Sequence, residues 1–221
     1  AYARQPKAQA AISALAALTR LRQACISPAL LSGGARSAGP KLETLISSVG
    51  EVAGAGAAAL VFSQFTRVLD LVGKELSGAG LGFVRLDGKT PKPEREQLVA
   101  RFQSADGPPV FLISLRTGAA GINLTRASYV FHLDPWWNPA VEDQASARAH
   151  RFGQENTVFV RRLLMRHTVE EKMMELKARK RALYDRLMES AEANAEVLSE
   201  GGVPGLTKGD IVLLLGGEVG R

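Results

Sequence analysis

Cysteine is almost absent: Cys25 stands alone among 221 residues. One thiol excludes an internal disulfide and a metal site built from several cysteines. The three histidines, His132, His150 and His167, are not at ligand spacing, so they read as structural or surface residues and no metal site is expected. No apolar run reaches the length of a membrane span. The opening "AYARQPKAQA" does not have the form of a cleavable leader. The expectation is therefore a cytoplasmic chain with no membrane partner. A glycine-rich phosphate loop is also missing. "GFVRLDGKTPKPER" (82–95) contains Gly88-Lys89-Thr90, but a G-x-x-x-x-G-K-[ST] loop needs a further glycine where Phe83 stands. Its lysine should also open a helix aimed at phosphate, whereas Pro91 and Pro93 hold the helix back to about Pro93. "DGKTP" reads as a strand-to-helix loop. Nor does an acidic D-E-x-H follow a buried strand.

What is present is enough for a packed core. Apolar residues are 46% of the chain, which suits one large or two small domains. The net charge is +6, and 19 of the 28 basic residues are arginine. Arginine suits bidentate contact with phosphate, which leans toward a nucleotide or nucleic-acid partner. Coding bias in an Ala/Gly/Arg-rich chain explains the same excess equally well.

Hydrophobic periodicity lays out the chain. Residues 7–24 read as a helix, with Ile12, Leu15, Leu18 and Leu21 recurring at helical spacing. Residues 27–40, rich in Gly, Pro and Ser, read as a linker, and 41–49 as a short helix. Strands are expected at 58–63, 83–86, 109–114, 128–133 and 157–164. Helices are expected at 66–77, 93–102 and 139–150. The first of these presents Val68, Leu69, Leu71, Val72 and Leu76. Short apolar strands alternating with helices predict an α/β fold, with a parallel sheet covered on both faces. Ligands of such sheets lie at the carboxyl ends of the strands, so function is expected in the loops after residues 63, 86, 114 and 133.

A long helix follows at 168–193, with Thr168 as N-cap and Glu171 completing a capping box. Val169, Met173, Leu176, Leu183 and Leu187 form its stripe. Its charges (Lys172, Lys177, Arg179, Lys180, Arg181 and Arg186) read as a solvated face or as a binding surface. The tail carries one apolar segment, Ile211 to Leu215, expected to pack back or fray.

The chemistry concentrates in 114–154. Gln144, Arg148 and Arg151 lie four and three apart and would share one helix face. Two arginines so placed would reach one polyphosphate and stabilise charge on a transferring γ-phosphoryl group. An ordinary surface helix fits the spacing as well. Gly118-Ala119-Ala120-Gly121 is a small-residue loop after a buried strand, with Ser114, Thr117, Asn123 and Thr125 supplying polar groups. It reads as a close backbone approach to a ligand or as a tight turn. "DPWWNP" places two tryptophans in a loop. At least one is expected in the core, and the other there or against nucleic acid.

In order along the chain, these stretches resemble the C-terminal helicase lobe of the Swi/Snf family of ATP-dependent double-stranded-DNA translocases, of bacterial type. "LVFSQFTRVLDLV" (60–72) is similar to motif IV, and "RLDGKTPKPEREQLVARF" (85–102) to the block after it, where Gly88-Lys89-Thr90 belongs. "LISLRTGAAGINLTRASYVFHLDPWWNP" (112–139) resembles motif V with its extension, and "DQASARAHRFGQ" (143–154) motif VI. "LTRLRQACISPALL" (18–31) is similar to the segment entering the lobe, and "TVEEKMMELKARKRAL" (168–183) to the brace helix.

The resemblance implies a RecA-like lobe at 41–166. An entry helix and linker from a first lobe would lie at 1–40, and the brace helix and tail at 167–221. It implies that ATP and Mg2+ are held mainly by the first lobe, so that this chain alone is inactive. Arg148 and Arg151 would reach the γ-phosphate with Gln144 nearby, and Gly121 and Asn123 would line the same cleft. Ser63, Gln64 and the start of the next helix would face double-stranded DNA, as would Ser114, Arg116, Thr117 and Trp137. The partners implied are that DNA and the N-terminal RecA-like lobe of the same polypeptide. The motor would be a nucleoid-associated monomer, with its hinge in or just before 27–40. Three positions depart from the family pattern. Ala147 replaces an aspartate beside Arg148, Phe152 stands for an isoleucine, and Gly39-Pro40 replaces a small or polar pair. Two other readings remain: a scaffold lobe that binds without catalysis, and a nucleotide-binding enzyme built on "DGKTP".

Overall fold

In the computed structural model, residues 7–31, 38–115, 117, 122–151 and 153–189 are described. Arg116, Gly121 with the rest of the 118–121 loop, Phe152, the middle of the 27–40 linker and the Ile211–Leu215 tail segment lie outside them. The order is α1 (Lys7–Ile26), a 3₁₀ turn (Pro28–Leu30), α2 (Pro40–Gly54), β1 (Ala58–Ser63), α3 (Thr66–Gly78), β2 (Phe83–Leu86) and α4 (Lys92–Gln103). Then come β3 (Val110–Ser114), β4 (Ala127–His132), α5 (Pro139–Ser146), β5 (Phe159–Arg162) and α6 (Val169–Glu189). Five parallel strands lie in the order β2-β3-β1-β4-β5.

Alternation of side chains across the strands explains the two main core clusters. Ala59 and Val61 of β1, Val110 and Leu112 of β3 and Phe131 of β4 face one side, against Leu42, Leu45 and Val49 of α2 and Val68, Leu69, Val72 and Leu76 of α3. Leu60 and Phe62, Phe111 and Ile113, and Val130 face the other, against Phe102 of α4 and Ala145 of α5. All six residues of β1 are buried, so the central strand reads as one apolar run with no polar alternation. The expectation of full cover fails at β5. Its four residues are exposed, unlike those of the other edge strand, β2, where Val84 and Leu86 are buried.

The entry helix also differs from expectation. Leu18 is buried, but Ile12 and Leu21 are 68% and 47% exposed. A strict three-residue repeat walks around a helix of about 3.6 residues per turn, so positions nine apart point to opposite sides. The face that packs instead carries Leu15, Leu18, Arg22 and Cys25. It meets Val169, Met173 and Leu176 of α6, with Trp137 alongside.

Buried ion pairs fasten α6 to the lobe. The Lys41 ammonium of α2 donates to both oxygens of Glu170, at 2.6 and 2.5 Å, and to the Leu133 carbonyl at 3.1 Å. Lys177 pairs with Glu142 of α5 at 2.8 Å. Lys177 thus belongs to neither a solvated nor a binding face. The cap of α6 is a shifted version of the expected box: Thr168 Oγ1 accepts from the Glu170 N–H at 3.2 Å, and Glu171 accepts from the His167 N–H at 2.6 Å.

Candidate functional site

The strand order fixes where a ligand crevice opens. From β1 the chain crosses to β2 on one side, and from β4 it leaves to β5 on the other. The connections diverge between β1 and β4, and open parallel sheets bind ligands at that switch point, beyond the carboxyl ends. Asp134, just past β4, lies there fully buried. It accepts from the Ser63 hydroxyl at 2.6 Å, from the Gln64 N–H at 3.3 Å and from the Gln64 amide at 2.5 Å. Burial pushes the Asp134 carboxyl up, against the pull of Arg22, Ser63 and Gln64. Ser63 is buried, with its carbonyl bonded by the Leu115 N–H at 3.0 Å, so it does not face a ligand as expected and the half-buried Gln64 presents this strand end. Thr66 and Arg67 open α3 in the exposed position just beyond. A helix N-terminus there faces outward with backbone N–H groups suited to an anion.

Sequence reading did not single out Arg22 and Asp134. Arg22 offered a faint signal, a charge on the same helix face as Leu15 and Leu18. Neither His132 nor Glu142 takes part in a metal cluster: among the described residues no three His, Cys, Asp or Glu gather. His132 is a core residue, stacked on Phe62 at 5.4 Å with Nε2 2.9 Å from Ser146 Oγ. Burial lowers its pKa to about 4, so it is neutral at pH 7.

The "DGKTP" loop closes on itself. The Lys89 N–H donates to Asp87 Oδ1 at 2.9 Å, and the Thr90 N–H donates to the Asp87 carbonyl at 3.1 Å. Asp87 also holds Arg85 at 2.8 Å. Those two N–H groups are committed to Asp87, which is a strand-to-helix turn and not a phosphate cradle. α4 then opens at Lys92 with Pro91 as N-cap.

α5 ends at Ser146, with Ala147 as its C-cap. The expected helix to residue 150 therefore does not form, and Gln144, Arg148 and Arg151 do not share one helix face. Arg148 and Ala149 donate backwards to Ala145 and Ser146, three residues each, in a turn. The Arg148 carbonyl accepts from the Leu124 N–H at 3.1 Å, which ties the turn to the end of the glycine loop. That bond places exposed Asn123 next to the strap holding Arg148. Gln144 is exposed on α5 and Arg151 is exposed beyond it, whereas Arg148 is 2% exposed. Burial, then the like charge of Arg151, pushes Arg148 down to about 10. It remains a cation at neutral pH, and a polyanion reaching both guanidiniums would relieve their repulsion. Two positive groups held close at a loop edge suit phosphate chemistry.

The remaining site residues lie along the same edge. Ser114, opposite Ser63 in the sheet, is buried. Thr117 is buried with an Oγ1 that makes no hydrogen bond among the described residues. A Cβ added at Gly88 would lie 3.7 Å from that oxygen, so the loops after β2 and β3 meet. Trp136 packs on the α4–α5 side of the sheet and its backbone N–H donates to Glu142 at 2.5 Å. Glu142 also takes Arg162 at 3.1 Å and Lys177 at 2.8 Å. Burial alone would raise its pKa, but Lys177 and the Trp136 N–H bring it below the usual carboxylate value. Trp137 is partly buried beside α1 and α6. Both tryptophans are thus part packed and part open.

An α/β lobe with an all-parallel sheet and a polar, arginine-bearing carboxyl edge is of the RecA-like class. The family model described as "Helicase conserved C-terminal domain" matches residues 40–153, and the chain belongs to that family. It is similar to the DNA repair protein RAD5B of Arabidopsis thaliana, 44% identical over 147 residues, which are 66% of this chain and 12% of that protein. It is similar to the DNA repair protein RAD5 of Cryptococcus neoformans, 43% identical over 130 residues, 58% of this chain and 11% of that one. Among solved structures, the Sulfolobus solfataricus SWI2/SNF2 ATPase C-terminal domain superposes with a TM-score of 0.63 at 30% identity, covering 78% of this chain and 71% of that one. The C-terminal part of the Fun30 ATPase domain gives 0.59 at 36% identity, over 62% and 44%. The fold is that of the C-terminal lobe of Snf2 ATPases. The chain spans under a sixth of those two repair proteins. These relatives are plant, fungal and archaeal, so the expectation of a bacterial type has no support.

Proposed function

We propose that this chain is the second motor lobe of an ATP-dependent double-stranded-DNA translocase, with the lobe proper at 41–166. ATP with Mg2+ would bind mainly on a first lobe joined ahead of α1. Arg148 and Arg151 would reach its γ-phosphate, with Gln144, Gly121 and Asn123 lining the same cleft. The observation that carries this reading is the Arg148–Arg151 pair. Arg148 is buried with its backbone carbonyl bonded by the Leu124 N–H, and Arg151, near enough for its like charge to lower the Arg148 pKa, is exposed. Arginine fingers need that combination of fixed position and access.

The duplex would lie along the edge formed by Gln64, Thr117 and Trp137, with Arg116 contributing, and buried Ser63 and Ser114 would support that edge from beneath. Such contacts fall mainly on phosphate, which gives grip without sequence reading. Closure of the two lobes on ATP, and reopening after hydrolysis, would step the motor along the strand by hinge motion. The motor would act as a monomer associated with DNA, in keeping with its likeness to the DNA repair proteins RAD5B and RAD5. No helix among the described residues is long and apolar enough to cross a membrane.

Fluorescence anisotropy with several labelled duplexes of unrelated sequence tests the DNA part. Their affinities should be equal and fall linearly with the logarithm of salt, at about 0.9 per phosphate contacted. Strong preference for one sequence, or no binding at low salt, would sink it.

A further inference from the structure

One buried cation is not used by the function above. Arg22 lies on α1, yet its guanidinium reaches the crevice between the ends of β1 and β4. It donates to Gln64 Oε1 at 3.1 Å and to the Pro135 carbonyl at 2.5 Å, and stands 3.6 Å from Asp134 Oδ2. It lies over the Phe65 ring at 5.5 Å and the Trp137 ring at 4.9 Å. The partners come from two loops, 42 and 113 residues away in sequence. Arg22 is 3% exposed, and its Nε makes no hydrogen bond among the described residues. A buried guanidinium with one unanswered donor is a costly way to hold a helix in place, and an apolar side chain would do that better. A planar fork does something an apolar residue cannot: it fixes several acceptors and ring planes at once. Gln64 shows this, because its oxygen takes Arg22 while its amide donates to Asp134. Both ends of that side chain are therefore set.

We propose that Arg22 is the positioning residue of this edge: its guanidinium, carried by α1, sets the orientation of Gln64 and the plane of Trp137. The position of the entry helix is thereby read out at the surface that grips DNA, without Arg22 touching the DNA. This last consequence rests on the function proposed above, and the orientation itself does not. A shift of α1 relative to the sheet would withdraw the fork from both loops together. Gln64 would lose its acceptor contact, and Trp137 its stacked partner.

The test uses this chain with Trp136→Phe, which leaves Trp137 as the only tryptophan emitter. Arg22→Lys keeps the charge but loses the fork. A second variant, Arg22→Met with Asp134→Asn, removes the buried charges together and keeps the measurement open if the lysine variant fails to fold. In a variant that still melts cooperatively, acrylamide should quench Trp137 more efficiently than in the parent. Duplex affinity should fall about tenfold at an unchanged salt slope, because the contacts misplaced are neutral ones. Gln64→Ala should then add little on top of Arg22→Lys, since contacting residues are not additive. Unchanged quenching in a folded variant overturns the inference. So does a salt slope smaller by about 0.9 with Trp137 unaltered, which would make Arg22 a direct phosphate contact. If the parent binds no duplex, the proposed function fails, and the quenching of Trp137 alone decides whether Arg22 positions it.

Discussion

Replacing Arg148 by alanine in the two-lobed protein should lower kcat for ATP by about three orders of magnitude or more. Duplex affinity and the Km for ATP should change little, because on the proposed function the arginine would act when charge develops on the γ-phosphoryl oxygens, not when the nucleotide binds. Arg148 is 2% exposed and its backbone carbonyl is bonded by the Leu124 N–H, so its side chain leaves from a tethered, buried stretch of backbone. Preorganised donors lose nothing to reorientation at the moment of transfer. Burial and Arg151 lower its pKa to about 10, which leaves it charged throughout the neutral range. Arg148→Lys should recover only a small part of the rate, since a point charge cannot make the bidentate contact. Arg151→Ala should also be slow, but with less loss of thermal stability, because Arg151 is exposed. The check is steady-state hydrolysis with saturating duplex, alongside a melting curve for each variant. Loss of duplex affinity in step with kcat would place Arg148 on the DNA and not on the phosphate.

The second large effect concerns stability. Lys41→Ala should destabilise the chain by about 3–5 kcal/mol, because it leaves the Glu170 carboxylate buried without its counter-charge. The Lys41 and Glu170 side chains are 2% and 0% exposed, and the pair spans 129 residues of sequence. The same ammonium also satisfies the Leu133 carbonyl, one residue before Asp134. Breaking the pair therefore loosens α6 and the loop after β4 together. For a chain of this size the melting midpoint should fall by about 6–20 °C. Replacing both partners, Lys41→Met with Glu170→Gln, should recover most of that loss. The double change removes both charges, and glutamine keeps an acceptor for the Met165 N–H that Glu170 binds at 2.9 Å. A single variant as stable as the parent would show that the pair does not hold the brace helix.

Much of this architecture is legible in the sequence because apolar runs report burial directly. β1, β3 and β4 are apolar runs, and the Val68–Leu69–Val72–Leu76 stripe of α3 points inward as its period requires. The stripe of α1 misled, since three-residue spacing alone does not define a face. What settles that face is Arg22, whose partners are 42 and 113 residues away. The end of α5 was equally hidden. Residues 147–150 contain neither glycine nor proline to stop a helix, and the turn is made by a tertiary bond from Leu124. Local propensity cannot see such a bond. Lys177 looked like one charge among many on a polar helix, and its identity as a buried partner depends on Glu142 of α5. The dismissal of Gly88-Lys89-Thr90 as a phosphate loop needed only local information, and the hydrogen bonds to Asp87 agree with it. Ordered motifs thus carried the family. The buried charges that hold the site in shape are set by distant pairings.

The most direct test of the account is ATP hydrolysis measured with and without duplex DNA, on this chain alone and on the chain joined to its first lobe. The chain alone should show no turnover, and turnover should be strongly stimulated by duplex once both lobes are present. Hydrolysis by the isolated chain, or a folded two-lobed protein inert on every duplex tried, would contradict it.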